Sequence, residues 1–78
     1  MGRFEEIHTR TGALHYDGPD ARGAQIIIDA AEIWPGEFEI MALHARTGAE
    51  IETRRAGSLE EAGAKWSTKK RAFYYRVA

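Results

Sequence analysis

The chain of 78 residues is 44% hydrophobic and 29% charged, with a formal net charge of −1 at pH 7. These values exclude a disordered segment and predict one small globular domain, residues 1–78, with no apolar run long enough to span a membrane. The absence of Cys excludes disulfides and thiolate metal sites, and it favours a reducing, cytoplasmic location.

A phrase of eight residues occurs in two similar copies, "HTRTGALH" at 8–15 and "HARTGAEI" at 44–51. In each copy, polar residues lead into Thr-Gly and then into apolar residues, which is typical of a hairpin loop that ends on a left-handed residue. We therefore predict positive φ at Gly12 and Gly48, because a glycine has no Cβ to clash there. The two turns would join Phe4–Arg10 to Ala13–Asp17 and Phe38–Arg46 to Ala49–Arg55.

The same repeat could instead build a phosphate or metal site from two halves. One glycine per copy cannot form the series of backbone amides that a phosphate loop requires. The three histidines, His8, His15 and His44, include no pair at helical metal-ligand spacing and have no accompanying carboxylate motif. We therefore expect no metal and no cofactor.

Residues 21–34 are compatible with two structures. Asp20 could cap a helix over this stretch, whereas the β-branched run Ile26–Ile28 and the following Pro35-Gly36 favour a strand. The strand that we predict covers Gln25–Trp34, with a bulge near Ala30-Ala31.

The next strand, Glu37–Arg46, carries apolar residues on both of its faces. Phe38 and Ile40 lie on one face, and Met41 and Leu43 on the other. This pattern predicts a central strand that is covered on both sides.

A helix is predicted over Ser58–Ser67. Ser58 and Glu61 have the spacing of a capping box, in which the serine hydroxyl accepts a hydrogen bond from the Glu61 amide. Leu59, Ala62 and Trp66 then follow at helical spacing and would form one apolar stripe.

A final strand over Ala72–Val77 completes the predicted fold, which is α+β. Its antiparallel sheet of about four to six strands would be built from hairpins, with the helix packed on one face. The second face would leave Trp34, Met41 and Leu43 to be covered by loops or by a second subunit.

The charges are divided unevenly along the chain. Residues 1–39 hold eight acids and three bases, whereas residues 40–78 hold eight bases and four acids. Four aromatic residues lie among the bases of segment 65–76, which is the combination that binds single-stranded nucleic acids. The candidate contact residues of this segment are Lys65, Lys69, Lys70, Arg71, Tyr74 and Arg76.

Two stretches resemble small bacterial proteins. Gly63–Tyr75, with Gly-x-x-Trp-Ser, a basic spacer and an aromatic pair, is similar to the end of helix–strand modules in phage and mobile-element proteins. It departs from them in having Phe73 and Tyr74 where they have Trp-Tyr. Phe38–Ala62 resembles small uncharacterised actinobacterial phage proteins. The resemblance implies a phage-type origin and supplies no catalytic residues.

No local arrangement of side chains indicates catalysis. Ser58 is used by the predicted cap, and the adjacent Glu60 and Glu61 would diverge by about 100° on a helix. We therefore expect a non-enzymatic binding module, a phage accessory protein that contacts a host protein or its own copy as a homodimer. The alternative is a module that binds single-stranded nucleic acid through segment 65–76.

Overall fold

The computed structural model describes residues 5–10, 13–20, 22–69 and 71–77, with the backbone alone for residues 5–10 and 13. Within these ranges the chain is all-β. Its strands are β1 (Glu5–Arg10), β2 (Ala13–Pro19), β3 (Gln25–Trp34), β4 (Glu37–His44), β5 (Glu50–Ala56), β6 (Lys65–Ser67) and β7 (Ala72–Tyr75).

The described strands are hydrogen-bonded in the order β5-β4-β3-β2-β1-β7-β6, and the neighbouring pairs are antiparallel. Strand β1 divides its pairing between two sheets. Its first half, Glu5–Ile7, pairs with β7, while His8–Arg10 pairs with β2. A strand that passes from one sheet to another in this way forms a corner between them. The four strands β2–β5 thus lie on one side of β1, and the β6–β7 hairpin lies on the other.

The core is enclosed by the two sheets. On β3, Ile26, Ile28 and Ala30 are buried while the residues between them are more exposed, so the strand shows the two-residue period of one covered face. Tyr75 on β7 is 1% exposed and belongs to the same cluster. The remaining buried members of the cluster are Leu14, Ile40, Ala42, Ala62 and Ala64.

The curvature of the sheet brings its distant strands together. The Tyr75 hydroxyl donates a hydrogen bond of 2.5 Å to Glu52 Oε2, which joins β7 to β5 although four strands separate them in the sheet order. The Arg54 guanidinium lies 5.8 Å from the centre of the Tyr75 ring. The strands themselves therefore close over the core, where we had expected a helix.

Several sequence predictions are confirmed. Strand β3 has the predicted bounds, and β4 and β5 form the second predicted hairpin, with Gly48 at φ +74°. Strands β1 and β2 form the first hairpin, but Gly12 lies outside the described residues. The irregularity in β3 falls between Glu32 and Trp34, which is beyond the position near Ala30 that we predicted.

The predicted α+β class and the predicted helix over 58–67 are wrong. The cap is present, because Ser58 Oγ accepts a hydrogen bond of 3.1 Å from the Glu61 amide, and Ala62 N donates to Ser58 O. The helical turn then stops at Gly63, whose φ of +116° no helix can continue. Trp66 consequently lies on strand β6 instead of a helical stripe.

The second face of the sheet, where Trp34, Met41 and Leu43 were expected to need cover, is partly covered within the described chain. On β4, Ile40 and Ala42 face the core, whereas Met41 and Leu43 on the other face are partly buried. Trp34 is the residue of the expected set that stands exposed. Among the described residues, no helix has the length and apolarity needed to cross a bilayer.

Candidate interaction surfaces

The basic and aromatic segment predicted from sequence folds into the β6–β7 hairpin. Lys65 pairs with Tyr74, and Trp66 pairs with Phe73 on the opposite face. Lys65, Lys69 and Arg71 are exposed. Three cations are therefore presented on one short hairpin whose outer strand is an edge of the sheet. We call residues 65–71 of this hairpin the basic hairpin; Lys70 within it lies outside the described residues.

Trp66 is the aromatic side chain that the basic hairpin presents to solvent. It is 48% exposed, and its ring packs edge-to-face on Phe73, with 5.0 Å between centroids and 64° between planes. Tyr74 is partly buried, and Arg76 beyond the end of β7 is exposed. The structure thus places the exposed Lys65, Lys69 and Arg71 on the same hairpin as this accessible ring, with Lys65 on the face opposite to Trp66 and Arg76 further along the chain.

A second exposed aromatic lies at the turn between β3 and β4. Trp34 is 69% exposed and Ile33 is 37% exposed, and the turn residues Pro35 and Gly36 follow them at the surface. Gly36 takes φ +78°, and its amide donates to Glu32 Oε2 at 3.1 Å, which fixes the turn. We call Ile33–Pro35 the apolar tip.

Acidic side chains flank the apolar tip. Glu32 precedes it and is exposed, while Glu37 follows the turn and pairs with Trp34 across the hairpin. The sequence placed Trp34 among the residues left for loops or a second subunit to cover, but it did not place the tip among the candidate contact residues. The available signal was Pro35-Gly36, because a bulky apolar residue immediately before a tight turn has little chain around it to cover it.

The outer face of the four strands β2–β5 is closed by polar pairs. His15 Nδ1 and Asp29 Oδ1 lie 2.5 Å apart on neighbouring strands, and Arg55 Nε donates to Glu39 Oε2 at 2.8 Å. These pairs border the partly buried Met41, and Ile27 and Leu43, which pair with each other on the same face, are partly buried as well.

Tyr75, Glu52 and Arg54 form a polar cluster at the edge of the core. Burial of the Tyr75 ring raises the pKa of its hydroxyl well above the usual value near 10, and the hydrogen bond to Glu52 and the charge of that carboxylate raise it further. The Arg54 guanidinium acts in the opposite direction. The hydroxyl is thus held protonated as a donor, which suits a structural link between strands.

The two copies of the repeated phrase do not converge. The pair Arg10 and Ala13 lies at the start of β2. The second turn follows His44, whose partner on β3 is Ile26, and Ile26 in turn pairs with Gly18 near the other end of β2. A strand of seven residues is about 20 Å long. Among the side chains that the structure describes, no three His, Asp or Glu residues form a group that could hold a metal ion.

Comparisons of the chain with protein-family models, with curated proteins and with solved structures found no match. The resemblance to phage proteins therefore stays a prediction from sequence.

Proposed function

We propose that the protein is a non-enzymatic binding module that associates with its own copy. The observation that carries the proposal is that both tryptophans of the chain, Trp34 and Trp66, are exposed by about half or more, at 69% and 48%. Tryptophan is enriched among the residues that contribute most to protein interfaces, because it buries a large rigid surface with little loss of entropy.

The charges around the two tryptophans are complementary. Trp34 in the apolar tip is flanked by Glu32 and Glu37, whereas Trp66 in the basic hairpin lies among cations, of which Lys69 and Arg71 are exposed. Opposite potentials around two apolar anchors favour contact between the tip of one copy and the hairpin of another. The same contact accounts for both exposed rings and for the uneven distribution of charge along the chain.

The size of the two surfaces limits the strength of this association. A buried tryptophan covers roughly 150–250 Å², and a standard interface buries about 800 Å² on each partner. The contact of one apolar tip with one basic hairpin is therefore too small to be a whole interface, and it would act as the anchor of a larger polar contact. We expect a reversible association that becomes apparent at high protein concentration and weakens with salt.

The test is sedimentation velocity over a range of concentrations. Trp34→Ser should abolish the association, since it removes the anchor from a fully exposed turn without disturbing the core. Ile27→Val on β3, which is remote from both surfaces, is the matched control and should leave it unchanged. A wild-type protein that stays monomeric at millimolar concentration would contradict the proposal.

A charge-exchange experiment tests the pairing of the two surfaces. The variant Glu32→Lys/Glu37→Lys and the variant Lys69→Glu/Arg71→Glu should each fail to associate alone. Mixed together, they should associate again, because the basic tip of one faces the acidic hairpin of the other. Association of the separate variants at wild-type strength would show that the charges are irrelevant.

The second candidate function is binding of single-stranded nucleic acid by the basic hairpin. Exposed Trp66, on a hairpin that also exposes Lys65, Lys69 and Arg71, favours this candidate because a base can stack on the ring while nearby cations neutralise phosphates. Fluorescence anisotropy of a labelled oligothymidine measures it. Lys69→Glu/Arg71→Glu should abolish binding, whereas Trp34→Ser should not, and a lack of binding at low salt would exclude this candidate.

A further inference from the structure

A cleft opens at the end of the sheet where the second copy of the repeated phrase forms its turn. Its volume is about 540 Å³, which lies in the range of small-molecule sites. One wall is the loop between β2 and β3, and the other is the turn between β4 and β5. The lining residues are Gly23, Ala24, Gln25, His44, Arg46 and Thr47.

Hydrogen bonds within each wall hold the cleft in shape. In the first wall, Asp20 Oδ1 accepts from the amides of Arg22 and Ala24 at 2.8 and 2.9 Å, and Asp20 N donates to Ala24 O. In the second wall, Gly48 N donates to His44 O at 2.8 Å. A site whose walls are already ordered loses little entropy when a ligand enters.

One further bond ties the two walls together. Ala45 N donates to Gln25 O at 3.1 Å, so the turn after β4 is fastened to the first residue of β3 at the base of the cleft. The spacing of the two walls is therefore set by the sheet itself and not by the loops alone.

The surface of the cleft is mostly apolar, and the polar residues among its lining are of the kinds that favour an anion. Arg46 supplies a permanent positive charge, His44 an imidazole, Gln25 an amide donor and Thr47 a hydroxyl, and no carboxylate is among the lining residues. Thr47 Oγ1 accepts from Ala49 N at 3.1 Å, which leaves the hydroxyl hydrogen able to donate into the cleft.

The nearest acids in sequence do not cancel this charge. The Asp20 carboxylate belongs to the first wall and is engaged by two backbone amides, while the exposed Glu50 begins β5 outside the lining. The exposed Arg22, next to the lining residue Gly23, adds a second cation at the rim.

We infer that this cleft binds a small molecule that carries a phosphate group. An arginine pairs with a phosphate through two parallel hydrogen bonds, and neutral donors such as Gln25 and Thr47 complete its recognition. The volume exceeds what one phosphate fills, so the ligand has an organic part that lies over Gly23 and Ala24. The site is independent of the apolar tip and of the basic hairpin.

The test is an NMR titration of the ¹⁵N-labelled protein with inorganic phosphate and with glucose 6-phosphate, at constant ionic strength set with sodium chloride. We expect the amides of residues 22–25 and 44–49 to shift and saturate, with tighter binding of the sugar phosphate. Arg46→Gln should weaken binding by about tenfold or more, because it removes a charged hydrogen-bonding partner. Arg76→Gln, an exposed cation outside the cleft, is the matched control and should leave the affinity unchanged.

Three results would overturn the inference. The first is a lack of saturable shifts in the amides of the cleft. The second is equal weakening by Arg46→Gln and Arg76→Gln, which would mean general attraction of anions to the surface. The third is saturation by acetate with the same affinity as phosphate, which would remove the assignment to a phosphate group. The dispersed amide spectrum of each variant reports directly that it is folded.

Discussion

Gly48 and Gly63, two of the four described glycines at positive φ, hold backbone conformations that other residues disfavour, and they do so for different reasons. Gly48, at φ +74°, closes the turn between β4 and β5 and has nothing within 4 Å of the position where a Cβ would lie. Gly63, at φ +116°, is crowded: a Cβ there would lie 3.2 Å from Arg54 Nη1 and 3.4 Å from Tyr75 Cε1. At Gly48 the requirement is purely conformational, whereas at Gly63 it is conformational and steric.

Substitutions at Gly48 should therefore differ in how much they destabilise the fold, according to how well the new residue tolerates positive φ. Gly48→Val should lower the free energy of unfolding by about 1–3 kcal/mol, since a β-branched residue is strained in the left-handed region. Gly48→Asn should cost clearly less, because asparagine visits that region readily. Urea denaturation measures both. Equal costs for the two variants would contradict the conformational explanation.

At the scale of elements, most of the described strands could be predicted from sequence, but strand β6 lies in the stretch where a helix was wrongly predicted. Ile26–Ile28 and the turn at Pro35-Gly36 define β3, and they do so through local preferences that the fold reinforces. The cap of Ser58 and Glu61 was also read correctly, but a cap indicates where a helical turn starts and says nothing about its length. Gly63 ends the turn with its positive φ, at a position where the nearby side chains of Arg54 and Tyr75, distant in sequence, leave little room for a Cβ.

The candidate surfaces also differ in how far they can be predicted from the sequence. The cations of the basic hairpin are visible in the sequence, because charge does not depend on the fold. The sequence indicates that Trp34 needs cover from loops or a second subunit, but that it stands exposed beside Ile33 at the turn between β3 and β4 is seen only in the fold. His44 and Arg46 belong to the repeated phrase, which is visible in the sequence. The cleft that they line also needs the loop between β2 and β3, and no local sequence pattern places that loop beside them.

The end of the helical turn gives a second prediction. Gly63→Ala should lower the free energy of unfolding by about 2 kcal/mol, because the new Cβ adds backbone strain to crowding against Arg54 and Tyr75. Gly57→Ala is the matched control, since a Cβ there would make ordinary contact, 3.6 Å from Glu61 Oε2. Thermal unfolding followed by circular dichroism compares the two. A Gly63→Ala protein as stable as Gly57→Ala would refute the proposed reason for the missing helix.

At the scale of the whole molecule, the bond between Tyr75 and Glu52 couples the two sheets. It joins a residue that is 1% exposed on β7 to β5, so its strength affects the closure of the core as a whole. The raised pKa of Tyr75 means that the folded state holds the phenolic proton more tightly than the unfolded chain does. This stabilisation is complete below the unfolded pKa near 10 and is lost as the pH rises above it.

We expect the free energy of unfolding to decline above pH 10, with a slope of up to about 1.4 kcal/mol per pH unit from this group. Tyr75→Phe should be less stable at pH 7 by roughly 1–3 kcal/mol, because Glu52 loses a donor, and its decline above pH 10 should be shallower than that of the wild type. Tyr74→Phe should keep the decline. Guanidinium denaturation at pH 7 to 11 provides the comparison. Parallel curves for the wild type and Tyr75→Phe would assign the alkaline loss to other groups.

The division of β1 between two sheets has a consequence for the order of folding. Strands β2 to β5 follow one another as hairpins, so each pairing closes a short loop and costs little entropy. The pairing of Glu5 with Tyr75 closes almost the entire chain. Its entropic cost is reduced only after the intervening hairpins have formed and brought the two strands near each other. We therefore expect the corner at β1 to form last and to limit the folding rate, so that this small domain folds more slowly than its length alone would suggest.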